Sequence, residues 1–476
     1  MSGEDDKGKT TAPAGAAGPR KLDRRDVLKG LSTVPALGLF GYAWQRQRQY
    51  QQAKLQAAAP AAAPSDLQEI NVALIGAGAQ GQVLTDAMLR IPALRFRAVC
   101  DVWTEYNQKR VVNSLARFNH EVRGYEDYRE MLDKEQEIDA VVIATPDFWH
   151  AEHTVDCLKA GKHVYCEKEM ANTLEGARRM VAAARETGKL LQIGHQRRSN
   201  PRYLHCYEKL LGEARLLGRI VTVSGQWNRA VAPDLGAPAR YAIPEARLQQ
   251  YGFKDMHQFR NWRWYKGLGG GPIVDLGSHQ IDIYSWFLGA NPTHVMASGG
   301  LLYYEPQTHE WYDTVMAVFD YDTPLGPVKA YYQTQTTNGS QGYFENFMGD
   351  QGTLLISESE TYGAKLYRDT NAPAWDTWVQ KGYVTAPKIQ DMKESDDAAV
   401  LDVRESVSPD EHAVPIVLSD PYHQPHLQNF FDAVRGKATL NCPPEVGYES
   451  AVSVLKVNEA IEARSRLSFT PEDFHV

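Results

Sequence analysis

The chain has 476 residues, 43% hydrophobic and 23% charged, which is ordinary for a globular protein of roughly two to three domains. A net charge of −8 without a dominant basic patch excludes nucleic acid as the partner. The five cysteines (Cys100, Cys157, Cys166, Cys206 and Cys442) are odd in number and form no CxxC pair, so neither a zinc site nor a disulfide framework is expected.

In chain order the first predicted element is a tail. Residues 1–20 are small and polar, the composition of a disordered segment. Arg24-Arg25 then precedes a modestly apolar run, Leu31 to Trp44, an order that resembles a twin-arginine export signal. The run falls short of the roughly 20 apolar residues of a comfortable membrane span. Gln45 to Gln56 is polar and Gln-rich, and Ala57 to Pro64 is an Ala/Pro linker with a small-residue cleavage candidate at Ala57-Ala58-Ala59. The expectation is an exported chain, periplasmic or held at a membrane by an uncleaved signal. A cytoplasmic protein with an accidental Arg pair is the alternative. Residues 1–65 form this leader, 66–196 a first domain and 197–476 a second.

Asn71 to Ile75 reads as a strand that runs into Gly76-x-Gly78-x-x-Gly81, and Val83, Leu84, Ala87 and Met88 space as the helix that follows. This is the context a dinucleotide fingerprint requires. Gly76 permits a tight turn, Gly78 lets the backbone approach a pyrophosphate, and Gly81 allows close helix–strand packing. Ala79 and Gln80 lie on the helix N-terminus, which offers free N–H groups to an anion. Twenty residues after Gly81 a second strand ends in Asp101, placed to accept from the adenosine ribose and to repel a 2′-phosphate, so NAD is expected over NADP.

Alternating strands and helices from Leu67 to about Gln196 predict a parallel sheet covered on both faces, a Rossmann domain. Predicted strands are Ile138 to Ala144, His163 to Lys168 and Lys189 to His195, with helices at Ala151 to Ala160 and Thr173 to Thr187. The loop Thr145-Pro146 to His150 follows a strand end and should edge the cofactor, as should Glu167 and Lys168. Beyond Gln196, Thr-, Tyr- and Val-rich runs (Ile220 to Trp227, Thr293 to Leu302, Thr314 to Tyr321, Val328 to Thr336) predict an α/β domain with a large, mostly antiparallel open sheet. Residues 374–415 read as an acidic surface loop, and Ala451, Val454, Leu455, Asn458 and Ile461 as one face of a helix.

Two further stretches carry chemistry: Cys166-Glu167-Lys168 and Gly269-Gly270-Gly271-Pro272-Ile273-Val274-Asp275-Leu276-Gly277-Ser278-His279. Asp275 and His279 are four apart, hence on one face if helical. Together with the glycine fingerprint these resemble the glucose–fructose oxidoreductase, inositol dehydrogenase and MocA-like family of sugar oxidoreductases, over about Gln68 to Leu467. The resemblance implies a catalytic Lys168, a substrate-side Asp275 and a proton-transferring His279. Oxidation of a secondary alcohol needs a base near neutral pH and a cation at the developing alkoxide, which suits His279 and Lys168. The family usually has proline after Glu-Lys; here Glu169 adds a charge beside the lysine.

For the substrate, Trp262, Arg263 and Tyr265 offer aromatic faces and a guanidinium, while His195 and Arg197 follow the last strand of the first domain and should line the same cleft. His423-x-x-His426 lacks an acidic partner at ligand spacing and reads as loop and helix entry. The expected activity is NAD(P)-dependent oxidation or reduction of a sugar, polyol or glycoside, by a homo-oligomer (dimer or tetramer). Two other readings stay open: a glycosidase or lyase that uses NAD transiently, and a non-catalytic sugar- or nucleotide-binding protein.

Overall fold

A computed structural model describes residues 67–388 and 409–476. The twin-arginine stretch, the Ala/Pro linker and the middle of the predicted acidic loop lie outside the described residues. All described residues fall in one compact unit. Among them no helix is long and apolar enough to cross a membrane.

The first sheet holds β1 (Ile70–Ile75), β2 (Leu94–Cys100), β3 (Arg123–Tyr125), β4 (Ala140–Ile143), β5 (His163–Cys166) and β6 (Leu191–Ile193). Their order is β3-β2-β1-β4-β5-β6, all parallel. β4 is Ala-Val-Val-Ile, every side chain fully buried, as a strand covered on both faces demands. Helices α1 (Ala79–Met88), α2 (Asp147–Lys159) and α3 (Leu174–Thr187) follow β1, β4 and β5. Thr173 caps α3 by accepting from the Gly176 N–H, and Gly188 ends it in the left-handed conformation.

The second sheet has nine strands: β7 (Ile220–Asn228), β8 (Pro292–Gly300), β9 (Thr314–Thr323), β10 (Gly326–Gln335), β11 (Tyr343–Gly349), β12 (Gly352–Ile356), β13 (Ala364–Arg368), β14 (Asp410–Ala413) and β15 (Leu467–Ser468). They run in the order β14-β13-β12-β11-β7-β10-β9-β8-β15. Only β7 and β10 pair in parallel. Along β9, Val315, Ala317, Phe319 and Tyr321 are buried while Met316 is exposed, the period-2 signature of a one-sided sheet. The short helix α4 (Gly271–Asp275) and then α5 (Gly277–Leu288) cover the buried face. The predicted loop at 374–415 is partly regular instead. It holds a helical turn at Asp376–Gln380 and the edge strand β14, whose Asp-Glu-His-Ala sequence is polar because an edge strand buries little.

The chain then crosses back. Helix α6 (Gln424–Val434), expected within the second domain, packs on the nucleotide sheet. Leu427, Phe430 and Phe431 are fully buried in one cluster with Val72, Leu74, Leu84 and Phe96. The Gln192 side chain donates to the His426 carbonyl (2.8 Å) and Arg435 to the Gln68 carbonyl (3.1 Å). Helix α7 (Pro444–Ala463) then lies between α3 and β8. Sequence reading divides these domains at Gln196, but the first completes its core with residues 424–434.

Phe430→Ala removes an aromatic ring from that core, so it should lower unfolding free energy by about 3–5 kcal/mol. Urea unfolding of the full chain checks this. A midpoint equal to that of the parent would show that α6 is not a structural part of the nucleotide domain.

Candidate active site

At the end of β1 the chain reverses at Gly76, whose φ of +92° is open to glycine alone at low cost. A Cβ on Gly76 would stand 2.6 Å from the Ala144 oxygen, and one on Gly81 only 1.9 Å from the Gly76 oxygen. Packing therefore requires both glycines. Gly78 differs, because a Cβ there would meet nothing within 4 Å. The free space above Gly78, at the N-terminus of α1, fits a pyrophosphate, and the first-turn N–H groups have no intrahelical partner.

Asp101 braces this turn, its two oxygens accepting from the Ala77 N–H and the Trp103 N–H, both at 2.7 Å. It still lines the cleft, and with the Asn107 side chain as a third donor its carboxylate keeps one lone-pair site for a ribose hydroxyl.

A cleft of about 1040 Å³ runs from Gly76, Gly78, Ala79 and Gln80 past Thr145, Pro146 and Glu167 to Lys168, Asp275 and His279. Lys168 follows β5 and Asp275 ends α4, so two domains meet here. The Lys168 ammonium donates to the Asp275 backbone oxygen (2.5 Å) and to its Oδ1 (3.2 Å). Arg263 Nε donates to the same Oδ1 (3.1 Å), and Arg229 Nη1 lies 3.9 Å from Oδ2. Burial alone would raise the Asp275 carboxyl. The charges of Lys168, Arg263 and Arg229 outweigh it and hold the group far below the usual carboxylate range.

His279 lies one turn further on, in α5. A break at Leu276 separates the two helices, yet both residues reach the cleft. Burial, then the positive charge of Lys168, pushes the His279 imidazole well below its ordinary value. It is neutral at pH 7. Its Nδ1 is buried without a partner, which leaves Nε2 for a ligand.

Glu169 does not place a charge in the cleft, contrary to expectation. The Lys168–Glu169 peptide is cis, and the side chain is 1% exposed. One oxygen accepts from the Met170 N–H (2.8 Å) and the other has no partner. Burial pushes this carboxyl up to about 8. Asp147 and Glu167, which do line the cleft, are raised by burial to about 7 each, against the pull of Lys168.

Five expected site residues are not brought to the cleft, the first being Gly81, which packs against the Gly76 backbone instead. His150 is buried with Nδ1 2.7 Å from the Glu169 oxygen and Nε2 2.8 Å from the Thr145 oxygen, so it pins the loops that carry the site. His195 is buried with Nδ1 3.9 Å from Asp282. Arg197 is 1% exposed, paired with Glu345 and Glu358 because those buried carboxyls need a cation. It stands 5.4 Å from both the Trp227 and Tyr343 rings and so supports the wall from behind. Tyr265 gives its hydroxyl to His257 (2.8 Å) and packs with Trp103 and Leu248.

Trp262, Arg263 and also Trp264 line the cleft, as does Asp147 of the loop expected to edge the cofactor, joined by residues that sequence reasoning missed: Trp227, Arg229, Tyr343 and His423. Trp227 and Arg229 sit at or just past the carboxyl end of a predicted strand, where ligand contacts concentrate, so that signal was available. His423 Nε2 meets the Gln80 amide at 2.9 Å, linking the entry of α6 to the glycine turn. His426 points elsewhere, to Ser199 and the Ile193 oxygen. No group of three metal-ligating side chains occurs among the described residues.

Residues 229–265 roof the cleft from the second domain and dock on the first. The Trp103 indole donates to the Tyr241 oxygen (2.6 Å) and that of Trp149 to the Tyr251 oxygen (3.2 Å). Glu126 accepts from Arg247 (2.6 Å) and from the Tyr251 hydroxyl (2.7 Å).

Residues 70–195 match a family model described as "Oxidoreductase family, NAD-binding Rossmann fold", and residues 211–355 the "GFO/IDH/MocA C-terminal domain". The chain is 31% identical over 202 residues to an inositol 2-dehydrogenase of Rubrobacter xylanophilus, covering 42% of this chain and 53% of that one. It is 26% identical over 308 residues to a levoglucosan dehydrogenase of Pseudarthrobacter phenanthrenivorans, covering 63% and 73%. The fold resembles that of a levoglucosan dehydrogenase solved with NADH and L-sorbose, with TM-score 0.62, 17% identity, and 84% and 99% of the two chains covered.

The raised carboxyls and lowered histidines set the pH dependence of stability. Buried His150 and His195 and half-buried His423 sit at about 4, and buried His153 and His426 at about 3. The unfolded chain takes up these protons near pH 6.5, so stability is lost as pH falls below that. Asp147, Glu167 and Glu169 hold protons that the unfolded chain has released, so their contribution is lost as pH rises through about 7 to 8. Thermal unfolding should therefore show falling stability from about pH 6.5 to 8.5, and Glu169→Gln should flatten that decline. A stability that rises over this range would contradict the assignment.

Proposed function

The chain belongs to the GFO/IDH/MocA oxidoreductase family, with an NAD-binding Rossmann domain, and from that premise we propose that it oxidises a secondary hydroxyl of a sugar, polyol or glycoside. One observation carries the reading: Lys168, Asp275 and a neutral His279 share a wall of the cleft that begins at Gly78. NAD, when bound, accepts the hydride that leaves the substrate carbon. The chain does the rest. Lys168 spends two of its three donors on Asp275, which leaves one for the substrate oxygen and the charge that develops there. His279 Nε2 takes the hydroxyl proton. Asp275 holds Lys168, Arg263 and Arg229 in register. Trp227, Trp264 and Tyr343 supply flat faces for a sugar ring.

The roof over residues 229–265 supports a further part of the proposal: the dinucleotide stays bound between turnovers and a second substrate regenerates it. Retention suits export, which the Arg24-Arg25 stretch and the apolar run after it support. Pairing of copies through the open face of the nine-stranded sheet, where Met296 and Met316 are about half exposed (53% and 49%), would give a dimer or tetramer.

Mass spectrometry of nucleotide released from natively purified full-length protein should find NAD, and absorbance should show its reduction by one class of sugar. His279→Ala should lower kcat by roughly 10²- to 10⁴-fold while the NAD content stays at the parent level. Equal turnover by the variant would remove His279 from the role of base. Failure of every sugar and polyol to reduce bound NAD would sink the redox reading.

A further inference from the structure

The charges at the reacting end of the cleft do not balance. Three cations, Lys168, Arg263 and Arg229, converge on the single carboxylate of Asp275 at 3.2, 3.1 and 3.9 Å. The other acids in reach are committed or offset. Glu358 is held by Gln196 and Arg197, and Asp234 by His257 (2.7 Å). Asp147 and Glu167 carry only part of a charge near neutral pH, because burial raises both to about 7.

Arg229 and Arg263 are also under-used. The Arg229 side chain is 52% exposed and its guanidinium carbon lies over the Trp227 ring, 5.3 Å from its centroid. Among the described residues its guanidinium donates no hydrogen bond. Arg263 lies 4.3 Å from the Trp262 ring and spends only Nε, on Asp275. Two guanidinium forks, fixed on aromatic faces, thus present unused N–H donors to the cleft. Such a fork matches a planar or tetrahedral oxyanion and bonds it more strongly than it bonds a neutral hydroxyl. Neither arginine is needed to neutralise Asp275, since Lys168 does so already.

Resting on the redox reading above, we propose that the substrate is an anionic sugar, its carboxylate or phosphate held by Arg229 and Arg263 while a ring hydroxyl meets Lys168 and His279. Arg229 is then a specificity-determining residue. Its distance from Asp275 leaves room for the anion beside it, and Trp227 under it supplies the stacking face. A neutral sugar would leave the surplus charge unpaired and would bind more weakly.

The test uses the full-length, NAD-loaded protein with matched probes: glucose, glucuronate and glucose 6-phosphate, and the galactose and mannose counterparts. Reduction of bound NAD, followed as a single turnover, gives the second-order rate constant for each probe, and calorimetry gives its binding. The expected result is an anionic sugar favoured by at least roughly tenfold over its neutral parent. Arg229→Gln should cut that ratio by about ten- to a hundredfold, the effect of one charge-assisted pair, and Arg229→Lys should restore part of it. Preference for uronates identifies a carboxylate and preference for hexose phosphates a phosphate. Neutral sugars used as well as the anionic ones, or an Arg229→Gln variant with an unchanged ratio, would overturn the proposal and leave the redox reading standing. Tighter binding of anionic sugars that depends on Arg229, with no reduction of NAD by any probe, would keep the anion site and overturn the redox reading. An anionic sugar that neither binds nor reacts overturns the proposal.

Discussion

The contact between Lys168 and Asp275 is the constraint on which the site depends. One partner follows the fifth strand of the nucleotide sheet and the other ends a helix on the second sheet, so the two domains must keep a fixed distance for the bond to form. Both side chains are largely buried, at 11% and 17% exposure. Removing such ions from water costs several kcal/mol each, so either would be strongly unfavourable alone. The arginines add further charge around the same carboxylate. Burial first, and then the charge of Lys168, keep His279 neutral, in the form that accepts a proton.

That distance is held by segments that cross between the domains. Helix α6 completes the core of the nucleotide sheet, α7 is wedged between α3 and β8, and residues 229–265 return over the cleft to Trp103, Trp149 and Glu126. His423, at the entry to α6, reaches the glycine turn through Gln80. A largely continuous core and a roof tied at several points suit a cleft that closes on its nucleotide and excludes water from the reacting end.

Much of this was legible in the sequence because local rules and tertiary structure agree there. The glycine fingerprint, the apolar run of β4 and the Thr173 cap each follow from neighbours in the chain. Sequence also placed Lys168, Asp275 and His279, through short motifs that resemble a known family. Long-range closure was not legible. The amphipathic pattern of residues 424–434 gives no sign of which sheet it covers, and β14 is too polar and short to announce itself. His195 and Arg197 were expected at the cleft from their place after a strand end. Arg197 is instead turned inward by Glu345 and Glu358, residues far away in sequence whose burial demands a cation, and His195 is buried as a neutral ring near Asp282, which Arg198 already pairs. Glu169 read as a charge by composition, and its burial makes it a protonated core group near neutral pH.

The most direct test of the account is a double-mutant cycle on Lys168 and Asp275, read as the single-turnover second-order rate constant for reduction of bound NAD by the preferred sugar. Lys168→Met and Asp275→Asn should each cost a large part of the activity. The double variant should be little worse than the poorer single one, with a coupling energy of about 1–3 kcal/mol. Losses that simply add would mean that the two residues act independently, and the ion pair across the domain junction would not be what organises the site.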